Sequence, residues 1–216
     1  MALSNTELQN LRKNYKKSAL SEEHCASEPL AQFQSWFKEA ITAELVEPNA
    51  FILSTVGAGA PHARTVLLKG HEEDGIVFYT NYDSPKGQQM SASPNAAATF
   101  LWLPLQRQVR VEGIIKRVSS ELSDQYFASR PRGSQLSAAA SPQGQVVESR
   151  EVLEKLFAAV EKHYPGETPI PRPVNWGGYV LVPHTWEFWQ GRENRLHDRI
   201  RYRLVNGLWI KERLAP

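Results

Sequence analysis

The sequence predicts a mainly β, α+β fold, an antiparallel barrel with helices at its edges. Three observations carry this. Seven or eight short runs rich in Val, Ile, Phe, Tyr and Thr fill the middle and the end of the chain, separated by Gly, Pro and Asp. The breaks between them are short, which favours antiparallel neighbours. The remaining segments carry apolar residues at three-to-four-residue spacing, the period of a helix. Closing such a meander into a barrel removes its exposed edges.

Each element follows in order. From Ser4 to Lys17, Leu8, Leu11 and Tyr15 share a helical face, and Ser4 with Glu7 reads as a capping box. Pro29 starts a second helix, in which Leu30, Phe33, Phe37 and Ile41 repeat with Trp36 alongside. The β runs are 50–56, 62–69, 76–80, 96–103 and 107–118. Ser84 and Pro85 form a helix start. Helices follow at Leu122–Ser129 and Arg150–Tyr164, the latter with a stripe of Val152, Leu153, Leu156, Phe157 and Val160. Between them RPRGSQLSAAASPQGQ, rich in small and polar residues, reads as an ordered functional loop. The end returns to β in WGGYVLVP, TWEFWQ, DRIRYRLV and LWIKERL, with Asn206-Gly207 as a hairpin signal. One domain spanning 1–216 is expected, with a mobile N-terminal helical segment at about 1–28.

Composition narrows the function classes. The chain has 25 Lys and Arg against 23 Asp and Glu, a net charge of +2, and is 41% hydrophobic. That excludes a disordered or low-complexity protein, and a nucleic-acid domain usually has a larger basic excess. Cys25 is the single cysteine, so no internal disulfide forms, in keeping with a reducing cytoplasm. The charged N-terminal stretch is unlike a secretory signal, and no apolar run reaches the length of a membrane helix. No metal is expected, because His24, His62, His71, His163, His184 and His197 show no ligand spacing. Gly57 and Gly59 begin a dinucleotide-like pattern that His62 breaks, and Walker, HExxH and GxSxG motifs are absent.

What remains is cations set among aromatics and hydroxyls. In RLHDRIRYR, Arg195, His197, Arg199, Arg201 and Arg203 share parity, so a regular strand projects all five to one side. This is either a solvated basic edge strand or an anion site. Arg64 and Lys69 flank an apolar strand with opposite parity. Lys86 follows the Ser84-Pro85 helix start, where free N–H groups and the helix dipole suit a phosphate. Tyr126, Arg130 and Ser134 recur at four-residue spacing, and a planar Arg fork with hydroxyls suits a phosphate dianion. Each cluster alone has a bland reading as solvated surface. Together they point to phosphorylated aromatic ligands. Trp36, Phe37, Trp102, Phe157 and Trp209 read as core, and Glu151, Glu154 and Lys155 as a solvated helix face.

The ordered set LRKNY, RTVLLKG, FYTN, RQVRVEG, YFASRPRGSQ, EFWQG, RLHDR and RLAP resembles the pyridoxamine/pyridoxine 5′-phosphate oxidase family over nearly the whole chain. The resemblance implies a split β-barrel homodimer with FMN at the subunit interface. It implies FMN contacts from Arg64, Thr65, Val66, Leu67, Leu68, Lys69, Tyr79, Thr80, Lys86, Gln108, Gln143, Trp189 and Arg199. Lys69, Tyr126, Arg130 and Ser134 match the substrate-phosphate cradle. Arg195 and His197 match the pair set against the substrate ring, as catalytic or substrate-binding residues, and Arg12 and Tyr15 match residues that cover it. Pro85 and Gly144 depart from the commoner pattern, which has Arg and Ser there.

The implied reaction oxidises pyridoxamine or pyridoxine 5′-phosphate to pyridoxal 5′-phosphate, by hydride transfer from C4′ to flavin N5 and reoxidation by O2 to H2O2. Two rivals stand beside it. A non-catalytic flavin- or haem-binding split barrel would show a broken substrate cradle. A nucleic-acid-binding barrel would use Arg199, Arg201 and Arg203 with stacking aromatics. Neither nucleic acid nor membrane is expected as a partner.

Overall fold

The computed structural model describes residues 5–10, 15, 19–72 and 75–216. Its elements are α1 (Asn5–Gln9), α2 (Pro29–Thr42), β1 (Ala50–Gly57), β2 (Ala60–Leu67), β3 (Ile76–Asn81), α3 (Pro85–Ala92), β4 (Asn95–Trp102), β5 (Arg107–Arg117), α4 (Ser120–Ser129), α5 (Arg132–Ala140), α6 (Arg150–His163), β6 (Trp176–Gln190), β7 (Asp198–Val205) and β8 (Leu208–Arg213). Ser4, Arg12 and half of the expected N-terminal helix lie outside the described residues.

One sheet holds all eight strands, in the order β2-β1-β4-β5-β6-β7-β8, with β3 also paired to β6. A bridge between Gly70 and Val77 joins the end of β2 to β3. The pairings of β1 to β6 therefore close a ring, while β7 and β8 continue as a meander from β6. This double use is possible because β6 is 15 residues long: Trp176–Leu181 pair with β3 and Thr185–Gln190 with β7. The sequence reads this stretch as two strands, because Pro183 interrupts it, yet the strand runs through.

Turn chemistry sets two hairpins. Asn206 and Gly207 have φ of 51° and 80° between Val205 and Leu208, the double positive φ that a two-residue hairpin turn of matching twist requires. Ala58 and Gly59, at 49° and 77°, do the same between β1 and β2.

The chain forms two compact units, one of residues 1–48, 99–111 and 185–216, the other of 49–98 and 112–184. In the first, α2 lays Phe33 and Trp36 on strand aromatics: Phe33 is 4.9 Å from Phe100 and 5.4 Å from Trp186, and Trp36 is 5.4 Å from Phe188. Truncating any one of these to Ala costs about 3–5 kcal/mol. The buried stripe is Pro29, Gln32, Phe33, Trp36 and Ala40. The expected stripe is therefore rotated: Trp36 is central, whereas Ile41 is 53% exposed.

In the second unit Phe78 meets Phe51 edge-on and stacks on Tyr179 in the core. A smaller cluster of Phe127, Leu136, Ile170 and Trp176 seats α4 and α5, with Tyr79, Tyr126, Phe157 and Val160 at its margin. Leu136 is the one buried residue of α5, so a helix forms where the sequence reads a loop. Its Ala-rich turn has high helix propensity, and one apolar anchor is too sparse to show a period. Leu153 and Leu156 of α6 stay 39% exposed. Among the described residues no helix is long and apolar enough to cross a membrane.

Candidate active site

Three clusters carry the polar chemistry. The first gathers around the start of α3. Ser84 caps this helix, its Oγ accepting from the Gly87 N–H at 3.3 Å, and Pro85 fills the first turn. Lys86 Nζ donates to Thr80 Oγ1 at 3.0 Å, Ser84 Oγ at 3.3 Å and Gln143 Oε1 at 3.2 Å. Gln143 Oε1 also accepts from Thr80 Oγ1 at 2.8 Å and the Asn81 N–H at 3.2 Å.

Arg64 belongs to the same charge cluster. Its Nη1 donates to Thr55 Oγ1 at 2.6 Å and the Leu53 carbonyl at 3.2 Å, and its Nη2 to Gln89 Oε1 at 2.8 Å. Burial lowers the Lys86 pKa, and the Arg64 charge lowers it further. Burial also lowers that of Arg64. Two half-buried cations are thus held by neutral oxygens, Lys86 in the first turn of α3 and Arg64 against Gln89 farther along it. A phosphate dianion suits this donor set: it would gain charge-assisted hydrogen bonds from both cations and relieve their mutual repulsion. These residues fit the phosphate of FMN.

The second cluster lies on the neighbouring residue of β3. Tyr79 stacks on Tyr126 at 3.9 Å and on Trp176 at 5.6 Å. Burial pushes the Tyr79 hydroxyl up to about 12, with Tyr126 beside it, and raises Tyr126 as well. The Arg130 guanidinium lies 4.7 Å over Trp176 and 5.8 Å from Phe127. Its Nη1 is buried without a hydrogen-bond partner among the described residues, and burial lowers its pKa. The second Arg of the motif behaves differently: Arg132 ties the Thr168 and Tyr164 carbonyls. Arg132 therefore braces this segment, whereas Arg130 Nη1 has no such partner among the described residues. Ser134 stands in the first turn of α5, its N–H bonded to the Pro131 carbonyl at 2.8 Å. Lys69 is exposed just beyond β2, where its backbone N–H meets Val77. Thr65, Val66, Leu67 and Leu68 form the stretch leading to it, all at least partly exposed.

The third cluster belongs to the other unit. Trp189 of β6 lies 4.8 Å from His197, and Tyr15 packs edge-on against both, at 5.8 and 5.7 Å. The Arg192 backbone N–H donates to His197 Nδ1 at 3.1 Å. Arg195 sits exposed in a single helical turn with a φ of 61°.

The five-residue parity breaks here. β7 starts at Asp198, so only Arg199, Arg201 and Arg203 alternate on a strand. Nor is β7 an edge, since β6 and β8 flank it. Its arginines are paired: Arg199 with Glu187 at 2.8 Å, Arg201 and Arg203 with Glu212 at 2.7 and 2.8 Å. Glu187 raises the Arg199 pKa and also takes Arg110 at 3.2 Å. Gln108 is half-buried on β5, at the same parity as Arg110. Thr55, Gln89 and Glu187 escape sequence reasoning, because each acts through a contact remote in sequence that no local spacing signals.

Two family models match the chain. One, pyridoxamine 5′-phosphate oxidase, covers residues 37–164. The other, the pyridoxine 5′-phosphate oxidase C-terminal dimerisation region, covers 176–216. The pyridoxine/pyridoxamine 5′-phosphate oxidase of Salinibacter ruber is 52% identical over 98% of this chain and 100% of its own. That of Synechocystis is 53% identical over 97% of this chain and 98% of its own. Among solved structures, PhzG from Burkholderia lata is 26% identical with a TM-score of 0.85, over 93% of this chain and 99% of its own. An FMN-binding protein of Nostoc punctiforme, related to pyridoxamine 5′-phosphate oxidase, shares the fold at 19% identity and a TM-score of 0.71, over 88% of this chain and 100% of its own. Full-length identity above half, on one split-barrel architecture, leaves one assignment: the chain belongs to the pyridoxamine 5′-phosphate oxidase family.

Proposed function

We propose that this protein is an FMN-dependent oxidase that converts pyridoxamine or pyridoxine 5′-phosphate to pyridoxal 5′-phosphate, with O2 as acceptor and H2O2 as by-product. The observation that carries the reading is identity above 50% along the whole chain to oxidases of that name. When bound, FMN supplies the hydride acceptor and the route of electrons to O2. The chain supplies position and field.

Arg64 and Lys86 hold the FMN phosphate, with Thr80 and Gln143 completing the cradle. Lys69, Tyr126, Arg130 and Ser134 hold the substrate phosphate, where the free Arg130 Nη1 supplies a donor. Gripping the phosphate far from the reacting carbon uses remote binding energy for alignment. Arg195 and His197 face the substrate ring, and Tyr15 and Arg12 cover it. Thr65 to Leu68, Tyr79, Gln108, Trp189 and Arg199 complete the proposed FMN contacts. The protein is a homodimer through its C-terminal dimerisation region. We place FMN at the subunit interface, the chain as one FMN-binding domain, and the protein in the cytoplasm, where the lone buried Cys25 stays reduced.

The test is a visible spectrum of purified protein, followed by pyridoxamine 5′-phosphate in air. Bound flavin with aldehyde and peroxide in equal yield is expected. Bound flavin without turnover would favour a non-catalytic binder instead.

A further inference from the structure

Asp198 opens β7 directly after Arg195 and His197, and its carboxylate joins two remote segments. Oδ2 accepts from the Leu20 N–H at 3.0 Å and from Arg192 Nη1 at 3.4 Å. Oδ1 accepts from Arg213 Nη1 at 2.8 Å. Arg213 in turn donates to the Leu20 carbonyl at 3.1 Å, and grips Glu22 through Nε and Nη2 at 2.8 and 2.7 Å. The Asp198 side chain is only 17% exposed. One carboxylate thus anchors both the loop between β6 and β7 and the segment leading in from the N-terminus.

Both segments need an anchor. In the loop Asn194 and Arg195 have φ of 54° and 61°, a conformation that non-glycine residues keep only when their surroundings impose it. The Gln190–Asp198 pair closes the base of the loop, and Arg192 reaches across it to His197 Nδ1. On the other side Tyr15, five residues before Leu20, packs on His197 and Trp189. It lies so close to Gly191 that a Cβ there would be 2.8 Å from its Cγ.

We propose that Asp198 is a positioning residue for the substrate ring: it sets Arg195 and His197 through Arg192 and the loop, and Tyr15 through Leu20. The proposal rests on the assignment of Arg195 and His197 to substrate. An exposed ion pair would do little. Asp198 instead takes donors from three separate segments, two of them charged.

The experiment uses the full-length, FMN-loaded protein and Asp198→Asn, which keeps the size and removes the charge. KM for pyridoxamine 5′-phosphate should rise about tenfold, kcat should fall by less, and the FMN Kd should stay within about twofold. On a Tyr15→Ala, Arg195→Ala, His197→Ala background the same substitution should change KM by less than about twofold, because it acts through those residues. An unchanged KM, or an equal rise on both backgrounds, overturns the proposal. If Arg195→Ala and His197→Ala themselves leave the kinetics unchanged, the substrate assignment falls and takes the proposal with it. If they raise KM while Asp198→Asn does not, the positioning role alone falls. Should Asp198→Asn not fold, Arg192→Met cuts only the loop arm: a rise in KM of about threefold or more supports the role, and no rise overturns it.

Discussion

The Pro85 ring fills the space in which a side chain on Gly144 would begin: a Cβ there would lie 2.4 Å from Pro85 Cδ and 3.0 Å from Cγ. The two positions that depart from the commoner family pattern are therefore one packed pair. Gly144 also has a φ of +82°, which glycine adopts without a Cβ penalty. Its neighbour Gln143 accepts from Thr80, Asn81 and Lys86. Gly144→Ser should lower stability by about 1–3 kcal/mol and weaken FMN binding, through the clash and the strained backbone together. Adding Pro85→Ala should recover only the steric part. Thermal unfolding and FMN titration of the four proteins check this, and strict additivity would contradict the packed pair.

Lys86 makes the apoprotein's stability depend on pH in a defined direction. Its folded pKa is lowered by burial and by Arg64, so between the folded and unfolded values the unfolded chain binds more protons. Stability from this group is smallest when it is charged in both states and rises as pH climbs through the folded value. A bound phosphate should reverse the lowering. Lys86→Met should therefore flatten the alkaline part of the apoprotein's pH profile and weaken FMN about 10- to 100-fold. Equilibrium unfolding of both proteins across mildly alkaline pH, with and without FMN, measures both effects.

Much of this was legible in the sequence, and the losses have physical reasons. Periodicity revealed β1 to β5 because each run alternates or is apolar between turn residues, and the Asn206-Gly207 turn needs φ values that few other residues accept. It missed α5, whose single buried Leu136 makes no stripe, and split β6 at Pro183. Parity failed for Arg195 and His197 because a local turn, which alternation cannot see, precedes β7. Lys86 was read from the helix start at Ser84 and Pro85, and Thr80 and Gln143 were named through the resemblance, but their meeting at one carboxamide oxygen spans up to 63 residues of sequence. Asp198 was legible only as part of RLHDR, since its partners are Leu20 and Arg213.

Arg130 predicts opposite signs for stability and binding. Its Nη1 is buried and unpartnered among the described residues, which costs the folded apoprotein free energy. Arg130→Met keeps the stem packed on Trp176 and removes that cost, so the melting temperature of the apoprotein should hold or rise. KM for the phosphorylated substrate should increase about 10- to 100-fold, with FMN still bound. Arg130→Lys should recover little, because an ammonium lacks the planar fork that stacks on Trp176. Steady-state kinetics beside thermal unfolding decide it: a fall in both stability and FMN retention would make Arg130 a structural residue.

His197 is fixed as a donor by its neighbour. The Arg192 backbone N–H can only donate, so His197 Nδ1 accepts, and the neutral ring carries its proton on Nε2. A ring in that state has no free nitrogen with which to take a proton from substrate. It can offer Nε2–H to an oxygen or nitrogen at the reacting carbon, and that donor is the role to test. Nitrogen-15 shifts of labelled His197 should report the Nε2–H tautomer. His197→Gln, whose amide can present an N–H at similar reach, should keep about tenfold more kcat/KM than His197→Ala. If both variants lose activity equally, the donor role fails; if Nδ1 carries the proton in the neutral ring, the hydrogen bond that fixes the tautomer does not exist in solution.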